Sequence, residues 1–166
     1  QVTKDDGKIV IHGNRLRKEF SFQEFKAQSP YDLFTELEKL QKNKHSFIIR
    51  GAPAEKCDLR CDVRRILRKD GSGTVTPALR KWITLDIDGL DEGTLEHKLD
   101  VKDPEATIHD IINLLPKVFH GVSCHWRFSS SQGFKGDAIS CHLTYVLDTP
   151  MADDDLKRYW SIFNES

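Results

Sequence analysis

"RKWITLDIDGL", residues 80–90, is the stretch on which the fold of this chain turns. Apolar Ile83, Leu85 and Ile87 alternate with Trp82, Thr84, Asp86 and Asp88, which is the two-residue period of a strand with one face in a core. The two carboxylates share the other face, on backbone positions roughly 6–7 Å apart. Like charges that close repel unless a cation stands between them. Hard cations such as Mg2+ or Mn2+ take carboxylate oxygens and keep open positions for phosphate, so the pair suits two-metal phosphoryl transfer. An Asp-x-Asp triplet followed by glycine also fits a solvated turn; the apolar and β-favouring run ahead of it argues for a strand.

Outward from this strand, the pattern alternates helices with strands. "SCHWRFSSS" (123–131) and "ISCHLTYVLD" (139–148) predict two strands that can pair as a long hairpin across the polar loop "SQGFKGDA" (131–138). "SPYDLFTELEKLQKNK" (29–44) opens with Ser29, Pro30 and Asp32, all favourable at a helix N-terminus, and carries Leu33, Phe34, Leu37 and Leu40 as an apolar stripe. "DPEATIHDIINLLP" (103–116) predicts a second helix burying Ile108, Ile111, Ile112 and Leu115, and "MADDDLKRYWSIFNES" (151–166) a third with acids in its first turn. "GKIVIHG" (7–13) and "HSFIIRG" (45–51) predict short strands. Residues 57–81 form a basic connection. The fold class is α+β, a mixed or antiparallel sheet with flanking helices, in a single domain spanning 1–166.

The strand at 139–148 places Ser140, His142, Thr144, Val146 and Asp148 on one face, so His142 is an imidazole on the polar side of a central strand. Such a histidine is commonly satisfied by a backbone carbonyl. The preceding loop offers more: Ser129, Ser130, Ser131, Gly133, Lys135 and Gly136 supply hydroxyls, amides and a cation, the groups a triphosphate requires.

"WITLDIDGL", then "SSSQG", then "SCHLTYVLD" together resemble the catalytic core of the archaeo-eukaryotic primase superfamily, most of all phage and plasmid primase-polymerase domains. "FIIRGAP" and "RKW" ahead of the acids resemble phage relatives as well, and the likeness spans about residues 46–165. It implies a primase-like, RRM-like palm and template-directed nucleotidyl transfer in DNA replication, as a DNA primase or polymerase. It implies Asp86 and Asp88 as ligands of Mg2+ or Mn2+, Ser140 and His142 as a Ser-x-His pair on the nucleotide, and Ser130, Ser131 and Gly133 as part of the nucleotide pocket, with Lys135 on the phosphates. Nucleoside triphosphates, a DNA template and primer, and a helicase partner or fused domain are the implied partners, in the host cytoplasm of a phage or plasmid. The family's third acid has no clear counterpart. Asp148 lies six residues past His142, roughly 20 Å along the same strand, so the chain is expected to be a fragment ending before that acid.

Other chemistry stays open. "ITLDIDGL" also resembles the opening motif of haloacid-dehalogenase-like phosphatases, in which the first Asp is nucleophile and the second acid/base, although Leu90 stands where they carry a small hydroxyl residue. A non-catalytic nucleotide- or partner-binding module is a third alternative. Arg64 and Arg65 in the basic connection are candidates for nucleic-acid phosphates, set against a charged surface in which Asp58, Asp62 and Asp70 are interspersed. Trp126 and Trp160 are expected in the core rather than stacked on bases.

Bulk properties agree with these readings and narrow them little. The 166 residues, 38% hydrophobic and 31% charged with a net charge of −1, suit a globular protein with no overall pull toward nucleic acid or anionic membrane. No run approaches the length of a membrane span and no signal-peptide pattern opens the chain, which predicts a cytosolic setting. Cys57, Cys61, Cys124 and Cys141 lack the paired tight spacing of a zinc site and are expected to be reduced.

Overall fold

The structure, a computed structural model, describes residues 2–5, 8–11, 19–43, 46–58, 62–64, 66, 72–130, 132–133 and 138–164. Its elements run β1 (Val2–Asp5), β2 (Lys8–Ile11), β3 (Glu19–Phe20), α1 (Pro30–Gln41), β4 (Ala52–Pro53), β5 (Val63–Arg64), β6 (Val75–Thr76), β7 (Arg80–Asp91), α2 (Glu105–Asn113), β8 (Cys124–Phe128), β9 (Ala138–Met151) and α3 (Asp153–Asn164). The architecture is α+β, with every described strand pair antiparallel. The chain divides into two compact units, Gln1–Phe25 with Gly51–Pro77, and Lys26–Arg50 with Ala78–Ser166. The first holds three two-stranded ribbons, β1-β2, β3-β5 and β4-β6, with Ala54 and Val75 buried. The basic connection therefore contains strand: Val63 and Arg64 pair with Phe20 and Glu19, and Val75 and Thr76 pair with Pro53 and Ala52.

The second unit is built on a three-stranded sheet in the order β7-β9-β8. Ile139, Cys141, Leu143 and Tyr145 of the central strand are almost completely buried, and Ile83 and Leu85 of β7 join them on the same face. Ile108 and Ile111 of α2 and Phe119 close over this face, as the 3.6-residue period of "ATIHDIINLL" predicts. Phe119 lies against Tyr145, ring centroids 4.9 Å apart, and stacks on Trp160 of α3 at 5.7 Å. Trp126 and Trp160 both pack against the core, as expected.

Helix α1 starts where its sequence predicts. Ser29 Oγ accepts from Asp32 N (3.2 Å) and Asp32 Oδ2 accepts from Ser29 N (2.9 Å), a reciprocal cap that satisfies two donors at the helix end. The strand expected from "HSFIIRG" is a correction. Residues 46–49 form no ladder, and Phe47 and Ile48 are exposed; a short apolar run lacks the period that would identify its structure. Arg50 has a separate task. Its Nε donates to Trp82 O (2.9 Å), one terminal nitrogen donates to Met151 O (2.6 Å) and Arg80 O (3.2 Å), and the other pairs with Asp153. The β7-β9 register shifts between Arg80 and Trp82, and the guanidinium fork takes carbonyls beside that break.

A second irregularity falls between Ile87 and Leu90, where three steps along β7 match two along β9, from Cys141 to Ile139. Two residues, Asp88 and Gly89, thus oppose Ser140 in a β-bulge. Gly89 has φ +75°, the left-handed region that glycine enters without steric cost. The glycine behind the acid pair accordingly marks a bulge inside a strand that continues to Asp91, rather than a turn that ends it.

Asp110 on α2 anchors the segment after β7: its Oδ2 accepts from His97 N (2.7 Å) and contacts His97 Nδ1 (3.0 Å). Burial alone would push this carboxyl up, but the His97 backbone, ring and charge together with the Glu96 amide hold it below its usual 3.8. The depressed folded pKa means that Asp110 contributes stability above about pH 4 and loses it as the pH falls through the folded value. The difference in Tm between the native chain and Asp110→Asn is therefore expected to be larger at about pH 7 than at about pH 2.5; an equal gap at both would remove the ionised carboxylate from the account. At the bulge, Gly89→Ala meets no atom within 4 Å, so its cost is conformational, about 1–2 kcal/mol. That corresponds to a Tm lowered by roughly 2–8 °C, with Gly89→Asn less affected. An alanine variant as stable as the native chain would contradict the left-handed backbone at 89.

Candidate functional site

The polar face of the β7-β9-β8 sheet is organised in rows set by register. Asp86 faces His142, which faces Arg127 on β8. One row toward the hairpin, Asp88 and Gly89 face Ser140; one row the other way, Thr84 faces Thr144, which faces His125. The site residues are thus gathered from three strands because antiparallel partners project to the same side.

His142 Nε2 lies 3.2 Å from Asp86 Oδ1, and Arg127 Nε donates to His142 Nδ1 across a long 3.4 Å contact. Nε2 is thus the ring nitrogen on the Asp86 side and Nδ1 the one on the Arg127 side. Ser140 is buried, and its hydroxyl bridges the bulge: it donates to Asp88 Oδ1 (2.8 Å) and accepts from Gly89 N (3.2 Å). Ser140 N in turn donates to Gln132 Oε1 (2.6 Å), and Ser129 N to Ser140 O (2.8 Å), so Ser129 and Gln132 are tied to the start of β9. The Asp86 and Asp88 side chains are both exposed, two hard oxygen donor groups of the kind Mg2+ and Mn2+ take. By donor chemistry they fit such an ion.

Farther along the sheet, Thr84 Oγ1 and Thr144 Oγ1 are 2.9 Å apart. Buried His125 contacts Glu38 Oε1 (2.9 Å) and Gln41 Nε2 (3.0 Å) of α1, with Phe34 at 6.0 Å between ring centroids. Helix α1 covers this end of the polar face. A cavity of about 750 Å³ opens alongside, lined by Arg127, Ser130 and His142 with Phe34, Glu38 and Gln41 of α1 among others.

The structure thus brings Asp86, Asp88, Ser140 and His142 together, and places Ser130 with His142 in one cavity. Ser131, Lys135 and Arg65 lie outside the described residues, and Arg64 is an exposed residue of β5 in the first unit. Arg127 is the residue that sequence reasoning misses. Alternation in "SCHWRF" puts it on the polar face, but only the register shows that it meets His142. Asp148 is exposed toward the far end of β9.

Among the described residues, one cluster of three ligating groups lies elsewhere: Glu96, His97 and Asp110, with ligand atoms within 4.8 Å of one another. The Asp110–His97 hydrogen bonds account for that arrangement as a loop anchor. Cys57, Cys124 and Cys141 carry free thiols, and Cys61 lies outside the described residues. Burial, with added repulsion from Asp86 and Cys124, pushes the Cys141 thiol up to about 11, which leaves it protonated and unreactive on the core side of the site. No helix among the described residues is long and apolar enough to cross a membrane. No protein-family model matches the chain, and no curated protein or solved structure matches it.

Proposed function

We propose that this chain carries a nucleotidyl-transfer site of the primase-polymerase kind, which extends a DNA-paired strand with nucleoside triphosphates during DNA replication. The observation that carries this reading is the meeting of Asp86 and His142 at 3.2 Å on one sheet face, with Asp88 one row away and a cavity reaching His142. A primase-like palm is part of the proposal, supported by an antiparallel sheet with α2 and α3 packed on one face and acids and imidazole on the other.

Asp86 and Asp88 would hold Mg2+ or Mn2+, which supplies activation of a 3'-hydroxyl and charge neutralisation on the phosphates. The residues of the chain do the rest. His142 would contact a phosphate oxygen from the cavity it lines, and the Ser130 hydroxyl adds a donor at the cavity wall. Ser140 fixes Asp88 through the bulge, so that the two carboxylates keep their spacing. The 3'-hydroxyl gives up its proton to water and the new bond joins its oxygen to the α-phosphorus; the bond to the bridging oxygen breaks in line and pyrophosphate leaves with its electron pair. Template and primer DNA, and a helicase partner or fused domain, belong to the same reading. The phosphatase alternative receives no comparable support, since ligand crevices of open α/β sheets lie at the carboxyl ends of parallel strands, and the strands here are antiparallel.

Calorimetric titration with a nucleoside triphosphate and Mn2+ tests the proposal. Asp86→Asn or Asp88→Asn is expected to abolish the manganese-dependent heat. A binding module that uses neither acid, or steady phosphate release from a simple phosphate ester abolished by Asp86→Asn, would overturn it. His142→Ala is expected to weaken nucleotide binding by about tenfold, the loss of one hydrogen bond to a charged group. Its Tm should change by no more than about 4 °C; a lowered Tm with unchanged affinity would assign His142 to folding instead.

A further inference from the structure

Resting on the nucleotidyl-transfer reading, we infer that Arg127 binds the terminal phosphate of the incoming nucleotide and makes the site select triphosphates over monophosphates. The register row Asp86–His142–Arg127 crosses the sheet from acid to imidazole to guanidinium. Adjacent strands lie about 4.8 Å apart, so the outer two members are separated by roughly 10 Å at the backbone. The carboxylates mark the β7 side of His142 and the cavity marks the β8 side; Arg127 and Ser130 line that cavity, Asp86 and Asp88 do not. A nucleotide whose reacting phosphate sits over the acids therefore reaches past His142 toward Arg127 with the phosphate farthest from the reaction.

The described residues of the cavity lining carry one carboxylate, Glu38, which His125 contacts at 2.9 Å, and one guanidinium, Arg127. Among the described residues that line it, Arg127 is the one with a permanent positive charge. A guanidinium has five N–H donors in a planar fork that matches phosphate oxygens, and here Nε is only weakly committed, at 3.4 Å to His142 Nδ1. A phosphate chain laid along the row would meet the imidazole and then the guanidinium. A structural role alone would ask less of Arg127, because it is exposed and its hydrogen bond to His142 is long.

The test compares the native chain, Arg127→Ala and Arg127→Lys by calorimetry with Mn2+ and four probes: ATP, dATP, AMP and dAMP. Arg127→Ala is expected to weaken binding of the better triphosphate about tenfold or more and of the matching monophosphate by less than about twofold, with Arg127→Lys in between. Equal losses for triphosphate and monophosphate, or no loss for either, would overturn the assignment while leaving the nucleotidyl-transfer reading in place. A native chain that binds none of the four in a manganese-dependent way would overturn that reading, and this inference with it. Thermal melting of the same variants keeps folding separate, since replacement of an exposed side chain should leave the Tm within about 2 °C.

Discussion

The register of β9 between β7 and β8 is the constraint on which the rest of the second unit depends. Ile139, Cys141, Leu143 and Tyr145 alternate with Ser140, His142, Thr144 and Val146, and the first set is almost wholly inaccessible to solvent. A slip of one residue would exchange the two sets, taking the aliphatic and aromatic side chains out of the core and setting a serine, an imidazole and a threonine against Ile108, Ile111 and Phe119. Full burial of one large apolar side chain is worth about 1.5–3 kcal/mol, whereas a cross-strand polar pair contributes about 0.2–1 kcal/mol. The core decides the register by that margin. The meeting of Asp86, His142 and Arg127 on the opposite face follows from packing in which none of the three takes part.

Both ends of the β7-β9 ladder depart from regular pairing, and polar side chains manage each departure. Toward the hairpin, the extra residue at Gly89 lets Ser140 hold Asp88 and the Gly89 amide with one hydroxyl. Asp86 and Asp88 consequently differ in their partners, the first facing an imidazole and the second tethered to a buried serine. At the far end the guanidinium of Arg50 gathers carbonyls from Arg80, Trp82 and Met151 and pairs with Asp153 at the start of α3. A lysine has a single nitrogen and could not span the two edges of that break. Strand ends, last strand and last helix are thereby tied to a residue that sits outside the sheet.

What the sequence makes legible is what repeats along a single element. Alternation in "WITLDID" and "ISCHLTYVL" shows the strands and their faces, and the spacing of Ile108, Ile111 and Ile112 shows the buried side of α2. Relations between elements are harder to see. Nothing in "SCHWRF" says that Arg127 falls opposite residue 142, because register is a property of two strands and of the core beneath them. The bulge has a local signal in Gly89, but the same glycine serves a terminating turn equally well. "HSFIIRG" misleads for the converse reason: its apolar run resembles a strand while its Phe47 and Ile48 are exposed, and its arginine acts through carbonyls thirty or more residues away in sequence, at Arg80, Trp82 and Met151. His97 and Asp110 are likewise thirteen residues apart and meet only through the fold.

The polar face also has a direction that folding alone does not require. Negative charge is concentrated on β7, at Asp86 and Asp88, and positive charge on β8, at Arg127, with the His142 imidazole between them. An ordinary surface gains little from such ordering, because exposed charges in water interact weakly and are screened within about 10 Å at moderate salt. A divalent ion bound to a polyphosphate has the complementary order, cation at one end and excess anionic oxygen at the other. Laid across the row with its metal over the acids, such a ligand would neutralise the repulsion between the carboxylates and bring its distal oxygens to the arginine side. The free ion complements only the acids and the free anion only the arginine. On the proposed reading, the sheet therefore recognises the metal–nucleotide complex as one object, and the order of charge across three strands is what distinguishes it from either part.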